Sequence, residues 1–167
     1  MHQEPALRDL ESMEDVGEAF RPDLNEVESQ ITTHLESHAP LINTVAGHIF
    51  ASGGKRIRPL LLILCARLCG FLQKDFLLLG SLVEFIHTAT LLHDDVLDEA
   101  DLRRGQPTAR KIWGNQASIL VGDYLYSQAM ALIATFHNHG INEVLADACR
   151  KMAEGEVLQL CANSQPH

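Results

Sequence analysis

Aromatic side chains are scarce in this chain: one Trp, two Tyr and six Phe make up 5% of its 167 residues. Leu, Ile, Val and Ala must therefore supply most of the packing within an apolar fraction of 46%, and that mixture favours helices. Strand signals are nearly absent too, with no sustained alternation and no hairpin dipeptide between β-branched runs, so the expected fold class is all-α. Positive charge is in deficit. Thirteen basic against 22 acidic side chains give a net charge of −9, which argues against nucleic acid or an anionic membrane as the main partner. Cys65, Cys69, Cys149 and Cys161 form no CxxC pair; they read as reduced thiols of a cytoplasmic protein, with a structural zinc site as the alternative. The start, MHQEPALRDLESMED, has neither a basic opening nor an apolar core, so no signal peptide is expected. LLLILC at 60–65 is too short to cross a bilayer, and no transmembrane segment is expected. There is no Ser–His–Asp signature, no HExxH and no GxxxxGK[ST], which leaves hydrolytic triads, zinc peptidases and nucleotide phosphate loops with little support.

The chain that remains is a series of helical patterns. Residues 1–22 are polar and poorly periodic, and read as a flexible arm or a short docking helix; 23–167 read as one helical domain. Asp23 and Glu26 predict a capping box for a helix using Leu24, Val27, Ile31 and Leu35 and ending near Ser37 or His38. Pro40 suits the first turn of the next helix. Gly53 and Gly54 break the pattern, and Leu60–Leu68 is apolar on nearly every side, as in a helix buried within layers, until Gly70 stops it. The longest helix is expected over 74–98, a charged loop over 99–107, and two further helices over 115–136 and 141–160.

Charge is concentrated at two places. Seven of the 13 basic residues lie in two clusters, Lys55, Arg56 and Arg58, then Arg103, Arg104, Arg110 and Lys111, an arrangement suited to a small anion. In EFIHTATLLHDDVLDEADLRRGQPT at 84–108, Asp94 and Asp98 fall one helical turn apart on one face, about 6 Å along the axis. Like charges at that spacing repel unless a cation lies between them; oxygen-only ligands favour Mg2+, which phosphate oxygens usually complete. Arg103 and Arg104, just beyond, offer planar donor forks to such phosphates. The stretch reads as a magnesium–diphosphate site, or else as a solvated helix end whose charges pair across a turn. In GGKRIRP at 53–59, Lys55 and Arg58 either converge on one anion or form a solubilising loop. His87, two turns before Asp94, either donates to a diphosphate oxygen or is a satisfied rim residue; Glu84, His87, Thr90 or Leu91 and Asp94 recur on one side, as along a cavity wall. His93 is placed to orient the Asp94 carboxylate.

Taken together, GGKRIRP at 53–59, the 84–108 stretch, GNQASILVGDYLY at 114–126 and AEGEVLQL at 153–160 resemble the all-trans polyprenyl diphosphate synthases, over about residues 22–161. The resemblance implies an isoprenoid-synthase-type helical bundle around a central cavity, assembled as a homodimer. It implies that Asp94 and Asp98 hold Mg2+ bridging to an allylic diphosphate such as farnesyl diphosphate, with Arg103 on the same diphosphate. Lys55, Arg58, His87 and Arg104 would then bind isopentenyl diphosphate. The implied reaction ionises the allylic C–O bond, and the double bond of isopentenyl diphosphate attacks the carbocation. In such enzymes the residue five before the first Asp helps close the cavity floor. Here it is Ala89, followed by Thr90, and only two residues separate Asp95 from Asp98. Both features imply a long product, around C30 to C50, of the size of a ubiquinone side chain. One departure stands out: no second aspartate-rich motif follows AEGEVLQL. The chain therefore reads as the N-terminal half of such a synthase, apparently truncated, and the alternative to an enzyme is a non-catalytic diphosphate-binding or dimerisation module.

Overall fold

In the computed structural model, which describes residues 12–71 and 74–163, Ser12 opens the first helix, α1 (Met13–Ala19). Its hydroxyl accepts from the Asp15 N–H at 3.2 Å, and the Asp15 carboxylate accepts the Ser12 N–H at 2.9 Å, a reciprocal capping box. So part of the stretch expected to be a flexible arm or a short docking helix is helical; residues 1–11 of it lie outside the described residues. The capping box expected at Asp23 and Glu26 does not form. Helix α2 (Arg21–Leu35) begins earlier, with Pro22 in its first turn where a missing N–H costs nothing. Asp23 then lies inside the helix and takes the Arg67 guanidinium at 3.0 Å.

Helix α3 (Pro40–Ala51) starts on its proline, as expected, and buries Val45 and Ala46. Helix α4 (Ile57–Leu68) buries Pro59, Leu60 and Ile63, but Leu61 is 51% and Leu68 88% exposed. The expectation of a helix covered all round is thus corrected: apolar composition shows what can be buried, not how much neighbouring surface is there to cover it. Gly70 ends α4 in a left-handed turn (φ 73°), with Gly70 N–H donating to the Arg67 carbonyl and Phe71 N–H to the Ala66 carbonyl, both at 2.9 Å.

Helix α5 (Asp75–Leu97) is the spine, packing most closely against α4 and α2. Phe76, Leu77, Leu82, Phe85, Ile86, Ala89 and Leu92 are all buried along it. Each large apolar side chain of this set contributes about 1.5–3 kcal/mol relative to exposure. The charged loop after α5 holds a small feature that the sequence did not announce: a two-stranded antiparallel ladder of β1 (Leu102–Arg103) and β2 (Gln106–Pro107). Arg104 and Gly105, at φ 52° and 78°, form its turn, the left-handed pair that suits tight hairpins.

Helix α6 (Ala109–Thr135) is interrupted at Gly114, where the backbone leaves helical geometry (φ 85°, ψ 165°). The chain divides into two compact units within α6, one reaching to Ala129 and the other beginning at Met130. In the second unit, α7 (His139–Asn163) starts before the expected 141 because the Asn138 side chain accepts the Ile141 N–H. At 25 residues it outruns the 23 of α5, so the helix ending at Asp98 is not the longest. The all-α expectation holds. By length and composition α5 and α6 could each cross a membrane, but 61% of the most apolar window of α5 is buried inside the protein, as in the central helix of a packed core.

Candidate anion-binding cavity

Three segments of the first unit meet at a cavity of about 460 Å³: the 53–58 loop, the middle of α5 and the hairpin turn. The loop leaves α3 through Ser52 and turns at Gly53 (φ 70°), with Arg56 also left-handed (φ 44°) as it enters α4. Lys55 and Arg58 are exposed and line the cavity. Arg56 lines it as well, but its guanidinium is drawn inward. It pairs with Glu28 on α2, lies 3.2 Å from Glu84 on α5, and reaches the Phe50 carbonyl at 3.4 Å. The two carboxylates keep the Arg56 pKa raised although burial works against its charge.

From α5 come Glu84, His87, Thr88 and Leu91, one face of three successive turns. Glu84 is 4% exposed, and burial pushes its carboxyl above the usual range despite Arg56 and Arg58. His87 is held down to about 4, first by burial and then by Arg58, Arg104, Arg103 and Arg56. It is therefore a neutral imidazole at pH 7, standing in a field of guanidinium groups. From the hairpin, Arg104 donates to the Gly53 carbonyl; a Cβ on Gly54 would sit 3.0 Å from Arg104 Nη1, so a larger residue there would make the guanidinium shift by a few tenths of an ångström. Arg103 is held through Nε and Nη2, both 2.9 Å from Asp95 Oδ1.

Of the residues singled out in the sequence, Lys55, Arg58, His87, Arg103 and Arg104 are brought together around this cavity. Asp94 and Asp98 are outside its lining, half-buried and exposed respectively, at the C-terminal end of α5, where Asp98 is the cap and its N–H donates to the Asp94 carbonyl at 2.8 Å. Among the described residues no cluster of three or more His, Cys, Asp or Glu is gathered for a metal. Two carboxylates one turn apart at the negative end of a helix do, however, suit an oxygen-loving cation completed by phosphate. Ala89 is 1% exposed, and the Thr90 hydroxyl donates to the His87 carbonyl at 2.8 Å; neither lines the cavity. His93 directs Nε2 to α6, 3.2 Å from the Ile119 carbonyl and 3.3 Å from Asp123. Three groups escaped the sequence reading: Asp95, Glu28 and the inward role of Arg56. Asp95 had a signal, since it lies about 100° around the helix from Asp94 and must face elsewhere. Glu28 had none, because it is far from the cavity in the chain.

The sequence pattern of the polyprenyl synthetase family matches residues 39–167. The octaprenyl diphosphate synthase of Haemophilus influenzae is 45% identical over 159 residues, covering 95% of this chain and 48% of that protein. A crystal structure of a decaprenyl diphosphate synthase from Rhodobacter capsulatus superposes with a TM-score of 0.87 at 45% identity, over 90% of this chain and 47% of that one. A polyprenyl synthase from Caulobacter crescentus, crystallised with calcium and isoprenyl diphosphate, gives a TM-score of 0.87 at 44% identity, over 92% of this chain and 47% of that one. The chain thus spans about half the length of the relatives it matches.

Proposed function

This chain belongs to the polyprenyl synthetase family, and from that premise we propose that it serves a prenyl transfer in which isopentenyl diphosphate is condensed with an allylic diphosphate such as farnesyl diphosphate. The observation that carries the reading is the cavity where Lys55, Arg58, His87, Arg103 and Arg104 converge beside an apolar helix. That set of donors suits the several oxygens of a diphosphate. Lys55, Arg58, His87 and Arg104 would hold the isopentenyl diphosphate, and Arg103 the departing allylic diphosphate. The allylic C–O bond breaks with its electron pair leaving on the diphosphate, and Arg103 stabilises that charge where it develops. The isopentenyl double bond then attacks the allylic carbon, and a proton is lost to complete a chain five carbons longer. No side-chain nucleophile is required; positioning the two anions against each other supplies the acceleration. Asp94 and Asp98 are the residues we assign to Mg2+, which when bound would neutralise charge on the allylic diphosphate.

The names of the octaprenyl and decaprenyl relatives support a long product of quinone side-chain size. The small side chain of Ala89, followed by Thr90, supports it too, since neither position carries an aromatic ring. A homodimer and a cytoplasmic location belong to the same reading. A second reading, a diphosphate-binding or dimerisation module without turnover, is favoured by Asp94 and Asp98 being outside the lining of the cationic cavity. Incubation with labelled isopentenyl diphosphate, farnesyl diphosphate and Mg2+, followed by chromatography of the dephosphorylated products, decides between them. Long labelled prenols support the synthase. Calorimetric binding of isopentenyl diphosphate without incorporation supports the module, and neither result would refute both.

A further inference from the structure

Arg56 stands in the middle of the basic loop, yet it is the one cation there whose head does not reach outward. Its backbone takes the left-handed conformation, which is uncommon for a residue with a Cβ. That conformation is held by three attachments on three helices: Glu28 on α2, Glu84 on α5 and the Phe50 carbonyl on α3. The ring of Phe50 lies 5.9 Å from the guanidinium carbon. Lys55 immediately before it and Arg58 two residues after it are exposed at the cavity. Gly53 and Gly54 give the loop little stiffness of its own, so the direction of Lys55 depends on what holds the loop from outside, whereas Arg58 already lies in the first turn of α4.

We propose that Arg56 is a positioning residue: clamped by Glu28 and Glu84 at the N-cap of α4, it fixes the junction between the loop that carries Lys55 and the helical turn that carries Arg58, so that the two grip one diphosphate. The inference rests on the diphosphate reading of the cavity. It has a consequence that runs against simple electrostatics. Glu84 is an acid in the wall of an anion site, so its neutralisation should tighten anion binding if charge alone governed. If the clamp governs, Glu84→Gln weakens binding, because Arg56 loses one of its two charged anchors and the loop loses its register.

The probe is inorganic pyrophosphate without metal, titrated calorimetrically into the whole chain. Lys55→Ala with Arg58→Ala should abolish most of the binding. Glu84→Gln should weaken it about tenfold, and Glu28→Gln, outside the cavity, several-fold in the same direction. Arg56→Lys should not restore affinity, since one ammonium cannot span both carboxylates. In the Lys55→Ala background, where Arg58 still binds, the Glu84→Gln effect should shrink, while urea unfolding of Glu84→Gln separates the clamp from a general loosening of the fold. Tighter or unchanged pyrophosphate binding in Glu84→Gln and Glu28→Gln overturns the clamp and leaves the diphosphate reading standing. If pyrophosphate does not bind, or binds equally well without Lys55 and Arg58, the diphosphate reading itself falls, and the clamp with it. Should Glu84→Gln fail to fold, Glu28→Gln carries the same sign test from a half-exposed position.

Discussion

Asp94, Asp95 and Asp98 look alike in the sequence, yet the backbone sends them to different tasks. Asp95 is 1% exposed and holds Arg103 by two contacts to one oxygen. Asp95→Asn should therefore lower stability by about 1–2 kcal/mol, the cost of unpairing a mostly buried carboxylate from a guanidinium that water still partly screens. It should also weaken binding of an allylic diphosphate by freeing Arg103; urea unfolding and a titration with farnesyl diphosphate check the two effects separately. His87 makes a pH prediction. Its folded-state pKa near 4 is below the ordinary 6.5, so the unfolded chain binds the extra proton between those values. Its contribution to stability is therefore complete above pH 6.5 and is lost as the pH falls toward 4. The unfolding midpoint of the wild type should drop relative to His87→Gln across that window, and a constant difference between the two would contradict the assignment. Pyrophosphate in the cavity should shift the His87 ring titration upward in NMR, because the anion offsets the arginine field.

At the scale of elements, the signals that worked were those with a local physical cause. Pro40 opened α3 and Gly70 closed α4, because each acts through its own backbone. Gly70→Ala should cost about 1 kcal/mol by placing a Cβ in a left-handed cap, measurable as a lower thermal midpoint with the helix content retained. What was not legible depended on distant partners or on segments too short to carry a pattern. Strands of two residues leave no alternation to read, so the 102–107 hairpin passed for loop. The capping box expected at Asp23 is absent because α2 begins earlier, with Pro22 in its first turn, and either start satisfies local rules; the box at Ser12 belongs to a separate helix, α1. The candidate site divides in the same way. Lys55, Arg58, Arg103 and Arg104 could be picked out because cations clustered in the chain also cluster in space here, and His87 because it lies two helical turns before Asp94. Arg56 could not be told from its neighbours, since its destination depends on Glu28 and Glu84, each 28 positions away.

Across the whole molecule, burial is uneven. Twelve residues of α5 are buried, whereas Cys149 is the buried residue of α7 among those described. The surface of α7 is laced instead by Asp147 with Arg150 and Lys151, and Arg150 with Glu154, pairs that water screens. Amide exchange should accordingly be slowest along the middle of α5 and faster throughout α7, and equal protection of the two helices would contradict this distribution. The cysteines turn that difference into a built-in reporter. Cys65, Cys69 and Cys161 are exposed free thiols, and Cys149 alone is shielded. A thiol-specific dye should therefore label three positions at once and the fourth only when α7 opens. The rate of that last labelling, followed with and without bound pyrophosphate, clocks the opening of the second unit, with no label having to be engineered in.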